Sequence, residues 1–135
     1  MRRIESDTVE INNSSEKIYS FLSNLNNFEK LMPEQIINWK SAEDTCSFTI
    51  KGMSDISLKI AEKEPFSKIV LTPGDIKPMN FNLICLLNKC SENSSSVQII
   101  LCAELNAMME MLAGKPLQNF VNMLVEKLKK LGNQL

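Results

Sequence analysis

Few side chains in the sequence have the type and surroundings that catalysis requires. The chain has no histidine, the residue whose ordinary pKa best suits acid–base catalysis near neutral pH. Glu104, in the run LCAELNA, is the carboxylate with the most apolar neighbours. If Glu104 faced the interior, desolvation would raise its pKa and make it a candidate base or polar anchor. Strand alternation, however, places Glu104 out of phase with Leu101 and Leu105, which favours a solvent-facing position.

The cysteines do not form a recognisable metal or redox motif. There are four of them, without CxxC spacing, and no histidine could complete a mixed zinc site. Runs such as NLICLLNK and QIILCAEL instead suggest buried, reduced thiols that act as small hydrophobes. The sequence also lacks a glycine-rich phosphate loop and a GxSxG elbow. We therefore expect neither a metal nor a cofactor.

Size and composition predict one globular domain. The chain has 135 residues, of which 44% are apolar and 23% charged, so residues 1–135 can form a single core. A net charge of −1 argues against nucleic acid as a partner. No apolar h-region follows the start MRRIESDTVEI, and no run approaches the length of a membrane span. We expect a soluble, cytoplasmic protein without stable membrane insertion.

The first third of the chain predicts a strand and two short helices. Residues 8–11 (TVEI) have the alternation of a strand, and Asn13 or Ser14 can cap the helix that follows. That helix carries one apolar stripe, formed by Ile18, Phe21, Leu22 and Leu25. The asparagines of NLNN separate it from a second apolar turn, which must end at Pro33.

Six short strands are predicted after Pro33. They are QIINW, CSFTI, ISLKIAEK, SKIVLT, FNLICLLNK and SVQIILCAEL, all rich in apolar and β-branched residues. Their connections are too short for parallel crossovers, so the strands should form an antiparallel meander. The last two runs are apolar on both faces, which predicts that they are central in the sheet or covered.

The C-terminal segment predicts a long amphipathic helix with an interruption near its start. Its apolar residues share one helical face: Leu117, Phe120, Val121, Leu124, Leu128 and Leu131. Gly114 and Pro116 are poor residues for a helix interior, so we expect a break there that separates a short turn, rich in methionine, from the long helix.

This order of elements resembles the START-like superfamily, also called SRPBCC, which includes polyketide-cyclase-like, coenzyme-Q-binding-like and pollen-allergen-like proteins. The local similarity lies in VEINNSSEKIYSFLSNLNNFEKLMPEQIINW, where Glu16 precedes the pair Ile18-Tyr19 and Asn27-Phe28 opens the second helix. The resemblance implies an α+β, helix-grip fold, in which a curved antiparallel sheet of seven strands wraps around a long C-terminal helix.

The resemblance also implies a cavity between the sheet and the last helix. Such a cavity would bind a hydrophobic or amphipathic small molecule, either a lipid or a polyketide-like compound. Large apolar residues in the right phase are the candidates to line it: Trp39, Phe48, Leu58, Phe81, Met109, Leu112, Phe120 and Leu124. The same residues would also fill a solid core, so the sequence leaves both arrangements open.

Two other functions stay open at this stage. A cyclase or dehydratase of the same superfamily would need a titratable group in the cavity, and Glu104 is the only candidate. Asn80, Asn82 and Thr49 could orient a ligand without chemistry. A protein-interaction module would instead use the sheet or the last helix as its docking surface, and the chain could be a monomer or a homodimer.

Overall fold

The computed structural model describes residues 2–52, 55–74, 81–104 and 107–135, except the side chains of residues 81, 107–110, 112 and 113. The strands are β1 (Arg2–Glu5), β2 (Val9–Ile11), β3 (Ile36–Ser41), β4 (Thr45–Ile50), β5 (Asp55–Glu64), β6 (Lys68–Pro73), β7 (Phe81–Ser91) and β8 (Ser94–Ala103). The helices are α1 (Ser15–Leu22), a 3₁₀-helix (Leu25–Leu31) and α2 (Ala107–Gly132). None of the described helices is long and apolar enough to span a membrane.

The predicted α+β helix-grip architecture is confirmed. The sheet is open and antiparallel, and β8, β7, β6, β5, β4 and β3 follow one another as the predicted six-stranded meander. The two-sided apolar strands β7 and β8 are central, as their sequences indicated. Ser14 is the N-cap of α1, because its side chain accepts a hydrogen bond from the backbone N–H of Lys17.

The N-terminal strand is divided, which makes the sheet eight-stranded rather than seven-stranded. Both β1 and β2 pair with β8, and the register changes between them. At the interruption the Ser6 N–H donates to the Ile99 carbonyl at 2.9 Å, and the Ile99 N–H donates to Ser6 Oγ at 2.9 Å. A side-chain oxygen thus replaces one backbone acceptor, an exchange that the sequence pattern of residues 8–11 does not signal.

The apolar stripe of α2 faces the sheet as predicted. Leu117, Phe120, Val121, Leu124 and Leu128 are all buried, whereas Leu131 is half-buried. The helix approaches β8, β2 and β1 closely, and it also contacts the 3₁₀-helix. The side chains of Gln118 and Asn122 fix it to the β1–β2 edge by bonds to Glu5 and Asp7. The main packing layer is therefore α2 against one half of the sheet.

The predicted break at Gly114 and Pro116 is wrong, because α2 is one helix from Ala107 to Gly132 with Pro116 in its interior. A proline in a helix interior removes one N–H from the hydrogen-bond pattern, and its ring crowds the carbonyl group four residues earlier, so it weakens the helix locally without preventing it. The packing that begins at Leu117 holds the following turns, so a local helix-breaking residue does not decide the outcome here. Tertiary packing overrides the intrinsic preference at this point.

A buried asparagine, Asn13, forms hydrogen bonds to the C-terminal end of α2. Asn13 Nδ2 donates to the carbonyl oxygens of Gly132 and Leu135 at 2.8 and 2.9 Å. Gly132 lies so close to Ile11 that a Cβ atom there would come within 2.5 Å of its Cγ2 atom. Asn13 therefore caps the C-terminal end of α2, where carbonyl groups have no helical partners.

Candidate functional site

A β-bulge in the edge strand β3 sets the position of the only tryptophan. Ile37 pairs with Thr49 and Lys40 with Ser47, so β3 has one more residue than β4 over this stretch. Asn38 adopts a φ of 57° there, and its side chain donates to Thr49 Oγ1 at 3.2 Å. The extra residue turns Trp39 to the inner face, where its ring stacks on Phe48 with centroids 5.5 Å apart.

Most of the predicted cavity residues with described side chains lie in one hydrophobic cluster. Phe48, Leu58, Phe120 and Leu124 are buried members of it, and the half-buried Trp39 packs against it. The side chains of Phe81, Met109 and Leu112 lie outside the described residues. The cluster joins β3, β4 and β5 to the middle of α2, so it spans both walls of the predicted cavity.

In the described part of the chain, no helix comes as close to β5 as the helices come to the other strands of the sheet. Among the described residues, α2 lies on β8, β1 and β2, α1 approaches β6 and β7, and the 3₁₀-helix approaches β3 and β4. No helix makes a comparably close approach to β5 in this part of the chain. Ile56 and Leu58 on β5 are nevertheless only 2% exposed. Side chains therefore exclude solvent from this region, although the backbone of β5 makes no close contact with the helix backbones described.

The thiols that face this interior are neutral. Burial raises the pKa of the Cys46 thiol to about 12, against a smaller opposing effect of a backbone hydrogen bond involving Leu58. Burial likewise raises the pKa of the Cys85 thiol, on β7, to about 12. A buried thiol without a nearby cation is a poor nucleophile. Cys46 and Cys85 therefore behave as small apolar side chains of the core.

We expect these two thiols to make the protein less stable at alkaline pH. Their pKa is raised from the ordinary 9.0 to about 12, so the unfolded chain loses the proton first. Below pH 9 the two thiols do not change the free energy of unfolding. Between pH 9 and 12 each thiol lowers it by up to about 1.4 kcal/mol per pH unit. Urea unfolding at several pH values measures the slope.

The matched controls for this prediction are alanine variants of individual cysteines. Cys46→Ala and Cys85→Ala should each reduce the alkaline slope. Cys90→Ala should leave it unchanged, because Cys90 is exposed in the folded protein and is not transferred from the interior to water on unfolding. An equal slope in all three variants would show that the buried thiols do not cause the alkaline loss.

The polar candidates from the sequence lie away from this interior. Glu104 is exposed and follows β8 directly. Thr49 pairs with Asp55 in the outward phase of β4, and its hydroxyl donates to Asp55 Oδ1 at 2.6 Å. Asn82 alternates with the buried Leu83 and so lies on the outer face. Asn80 lies outside the described residues.

The buried polar groups cluster at another place, next to the joined chain ends. Ser15 and Ser95 share a hydrogen bond of 2.9 Å between their hydroxyl oxygens, and Ser95 Oγ also donates to the Asn13 carbonyl at 3.0 Å. Sequence analysis did not identify this network. Serines beside strand and helix ends are too common to signal burial. The network has its hydrogen bonds within the protein, so it reads as structural.

Two grooves over β3–β5 have a mixed lining of polar and apolar residues. They measure about 400 and 220 Å³, and they share Lys40 and Ser47. Ser57 and Gly74 line the larger groove, and Asp55 lines the smaller one. Cys46 and Leu58 also line the larger groove, and Phe48 and Ile56 the smaller one. Both grooves have charged residues beside these side chains, whereas the predicted aromatic and aliphatic residues meet in the hydrophobic cluster on the inner face, where we place the candidate site.

Comparison with known proteins gives matches in structure but not in sequence. No protein-family model matches the chain, and no curated protein matches it. A START superfamily protein from Mycobacterium smegmatis superposes with a TM-score of 0.71 at 17% identity, over 98% of this chain and 97% of its own. A conserved protein from Geobacillus kaustophilus gives 0.75 at 14% identity, over 98% and 96%. The protein XoxI from Bacillus cereus gives 0.75 at 12% identity, over 98% and 96%. Identities this low establish the fold alone, and the fold of this chain is START-like.

Proposed function

We propose that the protein binds a hydrophobic or amphipathic small molecule between the inner face of β5 and α2. The observation that carries the proposal is the inner face of β5, which is buried although no helix lies directly on it among the described residues. Apolar, enclosed space between secondary-structure layers is the usual place for small-molecule sites. Similarity in fold to a START superfamily protein supports the same reading.

The proposed lining combines aromatic and aliphatic side chains from both walls. The stacked rings of Trp39 and Phe48 form one side, and Leu58 forms the floor. Phe120 and Leu124 contribute from α2. The full proposed set adds the residues whose side chains are not described, namely Phe81, Met109 and Leu112.

Binding without chemistry is favoured over a cyclase or dehydratase activity. Such an enzyme would need a titratable side chain within the site. Glu104, the candidate from the sequence, is exposed. Cys46 keeps its proton because burial raises its pKa to about 12. The described inner face therefore offers a ligand apolar contact rather than a general acid or base.

Enlarging Leu58 tests for space above β5. If the site can accept a ligand, Leu58→Phe should fill part of it at a cost below about 1 kcal/mol in the free energy of unfolding, and ligand binding should weaken. The matched control is Leu101→Phe on β8, where α2 lies close. Overpacking there should cost about 1–3 kcal/mol. Urea unfolding compares the two variants, and equal costs would indicate a solid core at both places.

Native mass spectrometry of the gently purified protein tests for the ligand itself. We expect a bound apolar molecule, with reduced occupancy in Leu58→Phe and normal occupancy in Cys90→Ala. A protein that carries no ligand after expression, and takes up none from a lipid extract, would contradict the proposal.

A further inference from the structure

We infer that the larger of the two grooves over β3–β5 binds a small phosphate monoester, with Lys40 and Lys59 providing the positive charge. The inference is independent of the proposed function, because these two side chains lie on the other face of the sheet from the hydrophobic cluster. A phosphate monoester carries about two negative charges at neutral pH, which matches the charge of the two lysines.

Strand register places the polar side chains of this groove on one face of the sheet. Lys40 pairs with Ser47, which pairs in turn with Ser57. Lys59 pairs with Thr45, two residues before Ser47 on β4. Ser47 and Ser57 alternate with buried residues, so both hydroxyl groups point away from the core. The strands β3 and β5 are roughly 10 Å apart across β4, so the flexible side chains of the two lysines can converge over the serines.

The two lysines have their charge available for a ligand. Within the described residues neither forms an ion pair, and no acidic side chain lines the larger groove. Glu62 and Glu64, further along β5, lie 3.5 and 3.9 Å from the ammonium group of Lys68. Asp55 lines the smaller groove, where the Thr49 hydroxyl donates to it at 2.6 Å. The acids on this face are thus engaged by other side chains.

The serine hydroxyls complete the set of donors. Ser47 and Ser57 form no side-chain hydrogen bond with another described residue. Ser41, the third serine of the lining, differs because its hydroxyl donates to Asn26 Oδ1 at 2.7 Å. Phosphate oxygens accept hydrogen bonds from hydroxyl and ammonium groups, and such charge-assisted bonds are stronger than those between neutral groups. An anion over Ser47 and Ser57 would therefore be held by both kinds of donor.

Gly74 keeps one end of the groove open. Its N–H donates to the Ser57 carbonyl at 2.8 Å, so its backbone lies against β5. A Cβ atom at position 74 would overlap with Ser57 Oγ, and a side chain there would displace or cover this hydroxyl. The groove measures about 400 Å³, which leaves room for a small organic group beside the phosphate.

Isothermal titration calorimetry with phenyl phosphate tests the charge match. Phenyl phosphate should bind at neutral pH, and its Kd should rise with salt concentration because both lysines are exposed. Benzenesulfonate has a similar size but a single negative charge, so it should bind about fivefold more weakly. Benzyl alcohol, which has no charge, should not bind.

Variants of the lining residues locate the site. Lys40→Gln and Lys59→Gln should each weaken the binding of phenyl phosphate by about fivefold. Ser57→Ala should weaken it by about tenfold, since it removes a hydrogen bond to a charged group. Lys63→Gln is the matched control, because Lys63 is exposed on β5 but lies outside the groove, and it should leave the Kd unchanged. Circular dichroism checks that all four variants fold.

Three results would overturn the inference. They are the absence of phenyl phosphate binding at millimolar concentration, equal affinity for benzenesulfonate, and an effect of Lys63→Gln as large as those of the groove variants. Binding to vesicles that contain phosphatidic acid, without binding of the soluble ester, would also overturn it and would indicate a membrane surface as the partner.

Discussion

Replacing Asn13 by aspartate is expected to lower the free energy of unfolding by about 3–5 kcal/mol. The Asn13 amide donates to the carbonyl oxygens of Gly132 and Leu135 from a position only 8% exposed. Aspartate has nearly the same shape but no donor, and it brings a buried negative charge against two carbonyl oxygens and the negative end of the α2 dipole. Thermal and urea unfolding at neutral pH measure the loss.

The control for Asn13→Asp is the same substitution at the neighbouring position. Asn12 is exposed and its side chain has no described hydrogen bond, so Asn12→Asp should change stability by less than about 0.5 kcal/mol. The destabilisation by Asn13→Asp should also shrink at acid pH. Burial beside carbonyl groups raises the pKa of the new carboxyl, and its protonated form can donate one bond. A pH-independent loss, or equal losses in the two variants, would contradict the capping role of Asn13.

Replacing Pro116 by alanine is expected to stabilise the protein by about 2 kcal/mol. Alanine restores an N–H to the helical pattern, worth about 3 kcal/mol relative to proline in a helix interior. The greater freedom of the unfolded chain subtracts about 0.4–1 kcal/mol from this gain. Pro116 is exposed, so little packing is lost. The midpoint of urea unfolding reports the change.

Two nearby substitutions calibrate the Pro116→Ala result. Gly114→Ala should add about 1 kcal/mol, because a Cβ atom there meets nothing within 4 Å. Lys115→Ala should have almost no effect, since Lys115 is exposed and a good helix former already. A neutral or destabilising Pro116→Ala would mean that proline fits this helix better than its missing N–H suggests.

Strand and helix positions could be read from the sequence because their patterns are local. The six meander strands and the buried stripe of α2 follow from alternation and helical spacing alone. The division of the N-terminal strand could not be read in this way. It depends on Ser6 bonding to Ile99, a residue far away in the sequence. The predicted helix break at Pro116 was wrong for a related reason, namely that tertiary packing outweighs the local helix preference.

The candidate site shows the same limit more clearly. The sequence identified Trp39 and Phe48 as large apolar residues, but simple alternation from Ile36 would turn Trp39 outward. The bulge at Asn38 reverses this, and no glycine marks it. Glu104 was predicted better, because strand phase alone indicated its exposed position. What encloses β5 depends on the relative placement of three helices, which periodicity does not encode.

The pairing of β1 and β2 with β8 bears on how the chain must fold. Val9 pairs with Val97, so β2 has no partner strand until the chain has been extended as far as β8. At the usual synthesis rate of about 5–20 residues per second, this leaves the apolar face of β2 unpaired for roughly 5 to 20 s. Such non-local pairing also slows refolding to milliseconds or seconds. We therefore expect the pairing of the N-terminal strands with β8 to be a late step in the folding of the sheet.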